Sequence, residues 1–277
     1  MYTLNCGGKL IVLHEPVVMG IINVTPDSFY KDSRTENIDA IVALTKQMLF
    51  DGATFIDIGG QSTRPGSERL SADEEAAKIL PPIEAIIKAL PRTLISIDTY
   101  HAAVARQAIE AGACIVNDVG GGWFDANMLE TVAKYKVPYI CMHNNKSLQH
   151  MHDKPFYKNI TLEIIDYFIE RIEACKAAGI LDVIIDPGFG FYKKSMDNFR
   201  LLKNLQQLKI LQKPMLAGLS RKSTIYKTLD IPPEEALNGS TVLHTLALQN
   251  GADIIRTHDV KAGKEAIILL NNYKLSD

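Results

Sequence analysis

Short apolar runs alternate along this chain with longer stretches in which apolar and polar residues are mixed. A parallel strand that is buried on both faces appears in sequence as a continuous apolar run, so each short run predicts a strand. The eight predicted strands cover residues 17–23, 55–58, 94–98, 114–118, 138–142, 183–186, 215–218 and 254–257. Before them, residues 2–4 and 9–11 lie on either side of Gly7 and Gly8, which predicts a short, lid-like hairpin.

Between the strands, apolar residues recur at steps of three and four, the spacing of an amphipathic helix. One such stripe consists of Ile38, Ile41, Val42, Thr45, Met48 and Leu49, and a second of Ile165, Phe168, Ile169, Ile172 and Cys175. We predict further helices over about 72–90, 101–111, 127–136, 197–211, 233–250 and 259–273. Four glycines stand just before strands, where the turn that ends a helix needs a positive φ; they are Gly52, Gly112, Gly179 and Gly251.

Strict alternation of strands and helices predicts a parallel sheet covered by helices. Eight such units favour an α/β fold of the (β/α)8 TIM barrel type, preceded by a short N-terminal β-hairpin. The length of 277 residues suits one barrel, so we expect residues 1–277 to form a single domain. The alternative is an open, dinucleotide-binding sheet, but its GxGxxG fingerprint is missing, and the adjacent glycines at 120–122 have the wrong spacing.

Composition and charge limit the kinds of partner and the compartment that we expect for this protein. Lys and Arg number 30 against 32 Asp and Glu, and this near balance gives no electrostatic argument for a nucleic-acid or membrane partner. No apolar run is long enough for a transmembrane helix, and the N-terminus lacks the pattern of a signal peptide. The scattered cysteines, without a CxxC pair, are typical of reduced thiols in a cytoplasmic protein.

Polar residues follow nearly every predicted strand. They are Asn23, Gln61, Ser62, Thr63, Arg64, Asp98, Asn117, Asp118, His143, Asp186, Ser220, Arg221, Lys222, Arg256 and His258. A single Asp or Asn at a strand end is more often a turn or helix cap than a catalytic group. We assign Asp118 such a capping role. In a barrel, however, the ends of all the strands converge on one mouth, where active sites lie.

Positive donors at the mouth predict a phosphate or pyrophosphate ligand. They come from Arg64, Arg221, Lys222, Arg256 and His258. Arg256 and His258 are two apart, so on an extended strand they share a face, and the last two barrel strands frequently bind phosphate. The competing interpretation is an ion pair of Arg256 with Asp253 or Asp259.

The mouth also contains hydrogen-bond acceptors, two carboxylates and an amide, which come from Asp98, Asn117 and Asp186. A buried carboxylate without a cation beside it suits a ligand with paired N–H donors, such as an amino-pyrimidine edge. Lys222 follows its strand in a loop beside Arg221, which favours ligand contact over a Schiff-base role. The sequence from His150 to Asp153 could suggest a metal site, but no strand or helix is predicted there to hold it.

Seven segments together resemble the dihydropteroate synthase family. They are MGIINVTPDSF at 19–29, DIGGQSTRPG at 57–66, IDT at 97–99, ND at 117–118, DPGFGF at 186–191, GLSRKS at 218–223 and RTHDV at 256–260. They occur in the family's order and extend over most of the chain. The resemblance implies a transferase that condenses 6-hydroxymethyl-7,8-dihydropterin pyrophosphate with 4-aminobenzoate, the folate-pathway step that sulfonamides inhibit. It also implies Mg²⁺ as cofactor and a homodimer.

The resemblance also implies roles for individual residues. Pterin-binding positions are Asp98, Asn117, Met142, Asp186 and Lys222. Pyrophosphate-binding positions are Asn23, Arg64, Arg256 and His258, with Mg²⁺ near Asn23. Aminobenzoate-binding positions are Phe29, Thr63, Arg64, Gly190, Phe191, Ser220, Arg221, Lys222 and Ser223. Those with a catalytic role are Arg64, Lys222, Arg256 and His258. The family suggests a dissociative reaction, in which pyrophosphate departs before the arylamine attacks. For the dimer face we consider Leu243, Leu246, Ile267 and Leu270, although packing on the barrel explains them equally well.

Two positions depart from the family pattern. Tyr30-Lys31-Asp32-Ser33 follows Phe29 where the family often has Ser-Asp-Gly-Gly, so Asp32 is displaced by one position. Gln61 stands where the family often has Glu. Two alternatives stay open: a pterin-binding domain of a corrinoid methyltransferase, and a non-catalytic paralogue that binds pterin without turnover. The motif at 220–222 and the Thr63-Arg64 loop argue against the methyltransferase, and the intact ligand set argues against the paralogue.

Overall fold

The fold is a ring of eight parallel strands inside a layer of helices. The structure, a computed structural model, describes residues 1–24, 34–61, 69–144, 147–150 and 153–276, with the backbone alone for 34–37. The ring strands are β3 (Val17–Asn23), β4 (Ala53–Gly59), β5 (Ile95–Asp98), β6 (Ile115–Asp118), β7 (Tyr139–Met142), β8 (Val183–Asp186), β9 (Leu216–Ala217) and β10 (Ile254–Thr257). These correspond to the eight predicted strands, and those at 17–23, 183–186 and 254–257 have the predicted bounds.

Strand pairing shows that the ring is a barrel. The pairing order is β8-β7-β6-β5-β4-β3-β10-β9, and all of these pairs are parallel. The two ends of this order meet through a parallel bridge between Ile185 and Met215. There the Ile185 N–H donates to the Pro214 carbonyl at 2.9 Å. The predicted (β/α)8 barrel is therefore confirmed.

The helices surround the ring. They are α1 (Arg34–Phe50), α2 (Ala72–Ala89), α3 (Ala102–Glu110), α4 (Met128–Tyr135), α5 (Ile160–Ala178), α6 (Ser195–Lys203), α7 (Ser223–Leu229), α8 (Leu237–Gln249) and α9 (Val260–Leu275). The short α7 was not predicted. The helix predicted over 197–211 ends at Lys203 and continues as a 3-10 segment from Leu205 to Leu211. The four predicted glycines have φ of 100°, 116°, 94° and 96°, as the ends of the preceding helices require.

Two layers of apolar side chains hold the fold together. The larger layer lies between the strands and the helices, and it includes Ile56, Ile97, Phe168 and Leu248. It also contains Leu243, Ile267 and Leu270, so packing on the barrel explains these candidates for a dimer face, whereas Leu246 is 45% exposed. Among the described helices, none is long and apolar enough to cross a membrane.

The second apolar layer fills the inside of the barrel. It is formed by Leu4, Cys6, Leu13, Met19, Phe55, Cys114, Ile115, Ile140, Ile184, Leu216 and Ile254. Leu4, Cys6 and Leu13 come from the predicted hairpin, formed by antiparallel β1 (Tyr2–Cys6) and β2 (Lys9–Leu13). The Asn5 N–H donates to the Asp182 carboxylate at 2.7 Å, just before β8 begins. The hairpin thus covers the N-terminal end of the barrel, and the opposite mouth is lined by the polar strand ends.

Candidate active site

A guanidinium that bridges two carboxylates lies at the centre of the barrel mouth. Arg256, on β10, donates from Nε to Asp57 Oδ2 and from Nη2 to Asp98 Oδ2, both at 2.6 Å. Asn117 Nδ2 donates to the same Asp57 oxygen at 2.9 Å. Four strands therefore meet in one hydrogen-bonded network, formed by Asp57, Asp98, Asn117 and Arg256.

Asp57 is a residue of this network that our sequence analysis missed. It lies within β4, its side chain has no exposed surface, and its second oxygen, Oδ1, has no hydrogen-bond partner in the described part of the chain. The sequence did contain a signal, because a charged residue inside a buried parallel strand is rare unless it is paired. The Asp57 carboxylate binds both Arg256 and Asn117.

One expectation about this network was wrong, and the competing interpretation of Arg256 is contradicted as well. Asp98 was expected without a cation beside it, but it pairs with Arg256 because both side chains turn into the barrel mouth. The alternative partners of Arg256 are occupied elsewhere. Asp253 accepts from the Met215 N–H at 2.9 Å, and Asp259 binds Arg221 at 2.7 Å.

Burial sets the protonation of the network. Burial raises the pKa of Asp98 to about 7, although Arg256 opposes the shift. Burial would also lower the pKa of Arg256, but Asp57 and Asp98 outweigh it and raise that pKa above its ordinary value. The guanidinium stays charged, and Asp98 can exchange a proton near neutral pH.

Asp186 and Lys222 form a second group at the mouth. Asp186 Oδ1 accepts from the Gly188 N–H at 2.8 Å, and burial raises the pKa of this carboxyl, opposed first by Lys222. Burial lowers the pKa of Lys222 to about 8, opposed by Asp186. Lys222 Nζ donates to the Phe189 carbonyl and lies 4.5 Å from the centre of the Phe191 ring. The carbonyl and the ring that contact Lys222 both belong to the segment that follows β8.

His258, Ser220 and Asn23 form a third group at the mouth. Ser220 Oγ lies 3.0 Å from His258 Nδ1, and Asn23 Nδ2 lies 3.4 Å from His258 Nε2. Arg221 belongs to a neighbouring ion pair, because its Nε and Nη2 donate to the two Asp259 oxygens at 3.0 and 2.7 Å. Ser223 is the first residue of α7.

An apolar wall borders the pocket. Met142 packs in a small cluster with Tyr100 and Val119, against which Phe124, Leu148 and Phe191 lie. Gly190 has a φ of +83°, and its N–H donates to Asn198 Oδ1 at 2.8 Å. The predicted capping role of Asp118 fits its contacts, since its carboxylate accepts from the N–H groups of Gly120 and Gly122, both at 2.7 Å.

Several predicted residues lie outside the described ranges: Phe29, Asp32, Ser62, Thr63, Arg64 and His152. Gln61 is described, and its side-chain oxygen accepts from the Leu70 N–H at 2.7 Å. His150 pairs with Asp153 at 2.9 Å on the surface. Within the described residues, no group of three or more His, Cys, Asp or Glu side chains could hold a metal ion.

Comparisons with known proteins identify the family of this barrel. A family model described as pterin binding enzyme matches residues 19–258, so the chain belongs to the pterin-binding enzymes. The chain is 40% identical to the dihydropteroate synthase of Bacillus subtilis, over 89% of this chain and 85% of that protein. It is 39% identical to that of Streptococcus pyogenes, over 95% and 98%. The chain belongs to the dihydropteroate synthase family of transferases.

Solved structures agree in fold as well as sequence. A dihydropteroate synthase from Xanthomonas albilineans with 4-aminobenzoic acid superposes with a TM-score of 0.90 and 38% identity over 99% of both chains. Another structure of this enzyme, in complex with 7,8-dihydropteroate, gives a TM-score of 0.89 and 36% identity over 100% of both. A dihydropteroate synthase from Coxiella burnetii with pteroic acid gives a TM-score of 0.88 and 38% identity over 100% of both chains.

Proposed function

We propose that this protein condenses 6-hydroxymethyl-7,8-dihydropterin pyrophosphate with 4-aminobenzoate, giving 7,8-dihydropteroate and pyrophosphate. The observation that carries the proposal is the buried network of Asp57, Asp98, Asn117 and Arg256 beside the Asp186–Lys222 group. It provides acceptors for an aminopterin and a cation for a leaving pyrophosphate within one pocket. The Xanthomonas albilineans complexes with 4-aminobenzoic acid and 7,8-dihydropteroate support the same substrates.

Pterin recognition would rest on Asp98, Asn117 and Asp186. Asn117 and Asp186 are each 6% exposed, so their hydrogen bonds to a ligand would form with little competition from water. Carboxylates accept hydrogen bonds, and an amide both donates and accepts, which matches the N–H groups and ring nitrogens of an aminopterin edge. Met142 would pack against the ring from the apolar wall.

The pyrophosphate would lie beside Arg256, His258 and Asn23, with Arg64 as a further cation. Arg256 uses Nε and Nη2 to hold Asp57 and Asp98, whereas Nη1 makes no hydrogen bond to any residue that the structure describes. We infer that Nη1 faces the leaving group while the two carboxylates fix the plane of the guanidinium. A cation held in this way needs little reorganisation as negative charge develops on the departing oxygen.

The chain's residues fit a dissociative reaction. Pyrophosphate would leave first, its growing charge stabilised by Arg256 and His258. The arylamine nitrogen would then attack the pterin methylene carbon and lose one proton, to the departed pyrophosphate or to water. Lys222, with a pKa of about 8, is mostly protonated at neutral pH and is bound to the Phe189 carbonyl, so it would act as a fixed charge and not as a nucleophile.

We include Mg²⁺ in the proposal. This ion usually keeps several waters and binds through one or two protein oxygens together with substrate phosphates. Asn23 would supply an amide oxygen at the end of β3, next to His258, and the pyrophosphate would supply further oxygens. When bound, the ion would neutralise part of the leaving-group charge.

We also propose a cytoplasmic homodimer of one-domain protomers. Exposed apolar side chains on α8 and α9 support a dimer face there; they are Leu237, Val242, Leu246, Ile268, Leu269, Tyr273 and Leu275. Light scattering coupled to size-exclusion chromatography would measure the mass, and Leu269→Glu should shift a dimer toward monomer.

The four free, buried cysteines support a reducing compartment.

The test is pyrophosphate release with both substrates present. A synthase releases pyrophosphate and forms dihydropteroate in equal amounts. A methyltransferase domain would bind pterin without requiring its pyrophosphate, and a non-catalytic paralogue would bind the pterin substrate in calorimetry but release nothing. In Arg256→Ala, single-turnover release should slow by about 100-fold or more, as for the loss of an oxyanion donor. Release at the wild-type rate would rule out the role of Arg256.

A further inference from the structure

Lys193 is a buried lysine to which the reaction proposed above assigns no role. It lies between β8 and α6, and the residue is only 4% exposed. Its Nζ donates to His143 Nδ1 at 2.8 Å and to the carbonyls of Gly188 and Phe191 at 3.0 Å each. Burial lowers the pKa of Lys193 well below its ordinary value, opposed by Asp186. The three acceptors around Nζ nevertheless match the three N–H donors of an ammonium, one acceptor for each donor.

Lys193 binds the carbonyls of Gly188 and Phe191, and the two groups that contact Lys222 come from the same short segment. The Phe191 N–H donates to the Gly188 carbonyl at 3.1 Å, so residues 188–191 form a turn. Within this turn, the Phe189 carbonyl accepts from Lys222 Nζ, and the Phe191 ring lies 4.5 Å from the same atom. Lys193 therefore fixes both ends of the turn that places the Lys222 ammonium.

The backbone at this turn and directly after it lies in the left-handed region at three positions, one of them strained. Gly188 and Gly190 have φ of +67° and +83°, and Tyr192 is a non-glycine residue with a φ of 50°. A non-glycine residue in this left-handed region costs on the order of 1–3 kcal/mol and persists only where neighbouring contacts enforce it. The hydrogen bond from the Tyr157 hydroxyl to the Tyr192 carbonyl, at 2.8 Å, provides one such contact, and Lys193 provides the others.

His143 connects this arrangement to the barrel. It directly follows β7, its N–H donates to the Asp186 carbonyl at 2.8 Å, and its ring stands edge-on to Tyr167 with the centroids 4.7 Å apart. Burial and the Lys193 charge lower the pKa of His143 well below its usual range, so the imidazole is neutral and Nδ1 can accept. The ammonium is thus attached to a rigid strand end on one side and to the turn on the other.

We propose that Lys193 is a positioning residue that fixes the 188–191 turn and thereby places the Phe191 ring and the Lys222 ammonium for the arylamine substrate. The inference rests on the proposed function. An apolar side chain of similar length would fill the same space but would leave the Phe191 carbonyl and the His143 imidazole without their donor. The Gly188 carbonyl would keep only the Phe191 N–H. The loss should therefore appear at the aminobenzoate side more than at the pterin edge, because Asp98 and Asn117 have no hydrogen bond to Lys193. Asp186 meets the turn only through the Gly188 N–H, whereas Lys193 holds the carbonyls of Gly188 and Phe191.

The variant is Lys193→Met, and the matched control is Lys194→Met, the same change at the exposed neighbouring position. For Lys193→Met we expect the KM for 4-aminobenzoate to rise by about tenfold or more, while the Kd of the pterin substrate from calorimetry changes by less than about threefold. The control should match the wild type in both the KM for 4-aminobenzoate and the Kd of the pterin substrate. Lys193→Gln, which keeps an amide donor, should give an intermediate KM and replaces the Met variant if that does not fold.

A double variant and hydrogen exchange separate the possibilities. Phe191→Leu combined with Lys193→Met should cost less than the two single changes together, because Lys193 acts through Phe191. Amide hydrogen exchange over residues 187–194 should accelerate in Lys193→Met and not in the control, whether or not the protein turns over. Equal KM values and equal exchange in both variants would overturn the positioning role, whereas a wild-type protein that releases no pyrophosphate would overturn the proposed function instead.

Discussion

The substitution Asp57→Asn removes one charge from the centre of the site and leaves its shape nearly unchanged. Asp57 Oδ2 accepts from Arg256 Nε at 2.6 Å and from Asn117 Nδ2 at 2.9 Å. An asparagine oxygen in the same place can accept both, but without the negative charge. The new amide group would take the place of Oδ1, which is buried and has no partner among the described residues.

The expected loss follows from these two bonds. Hydrogen bonds to a charged group contribute about 1.5–3 kcal/mol, against about 0.5–1.5 for neutral pairs, so the Asn117 bond should lose about 1 kcal/mol. The Arg256 bond keeps its charged donor but loses the carboxylate charge, about 1–2 kcal/mol more, which gives roughly 2–3 kcal/mol in all. If the loss falls on the placement of Arg256 in the transition state, kcat/KM for the pterin substrate should drop by about 30- to 160-fold.

The assay is steady-state pyrophosphate release at varied pterin substrate, with thermal unfolding measured in parallel. Asp182→Asn is the matched control, because it makes the same change at the opposite end of the barrel, where Asp182 accepts from the Asn5 N–H. The control should keep wild-type kcat/KM. Asp57→Asn with activity within about twofold of wild type would refute the claim that Asp57 holds Arg256 in its catalytic position.

Three further predictions concern pH and inhibition. Burial raises the pKa of Glu75 to about 7, so the folded state keeps a proton that the unfolded state loses near pH 4.5, and stability falls as the pH rises between these values. Denaturation at pH 8 should therefore show Glu75→Gln to be more stable than wild type by up to about 3 kcal/mol, with no difference at pH 4; equal stability at pH 8 would contradict the shift. The pKa of Lys222 is lowered to about 8, so kcat/KM should decline above that pH, and Lys222→Arg, whose charge persists, should abolish the decline. A sulfonamide should compete with 4-aminobenzoate and not with the pterin substrate; non-competitive inhibition would place it elsewhere.

Much of the fold follows from local patterns. The strands at 17–23, 183–186 and 254–257 were predicted with their observed bounds, because buried parallel strands consist of continuous apolar runs. Helix α7 was missed because its seven residues are too few to establish a helical period. The helix predicted over 197–211 changes to a 3-10 segment after Asn204, and periodicity alone does not distinguish the two kinds of turn.

The position of the site also follows from the sequence, since polar residues at the ends of parallel strands must lie at the same mouth of a barrel. The network of Asp57, Asp98, Asn117 and Arg256, by contrast, could not be predicted from local patterns. Arg256 and Asp57 are 199 positions apart, and their contact depends on how the strands between them are arranged in the ring.

Lys193 shows the same limit over a shorter separation. Its residue type and its place after the DPGFGF segment are visible in the sequence, but nothing local indicates that its ammonium reaches His143, 50 positions earlier. The order of the strands and the polarity of their ends are encoded locally, by apolar periodicity and turn residues. Which donor meets which acceptor was decided by strand register and barrel closure, because these set the distances between side chains that are remote along the chain.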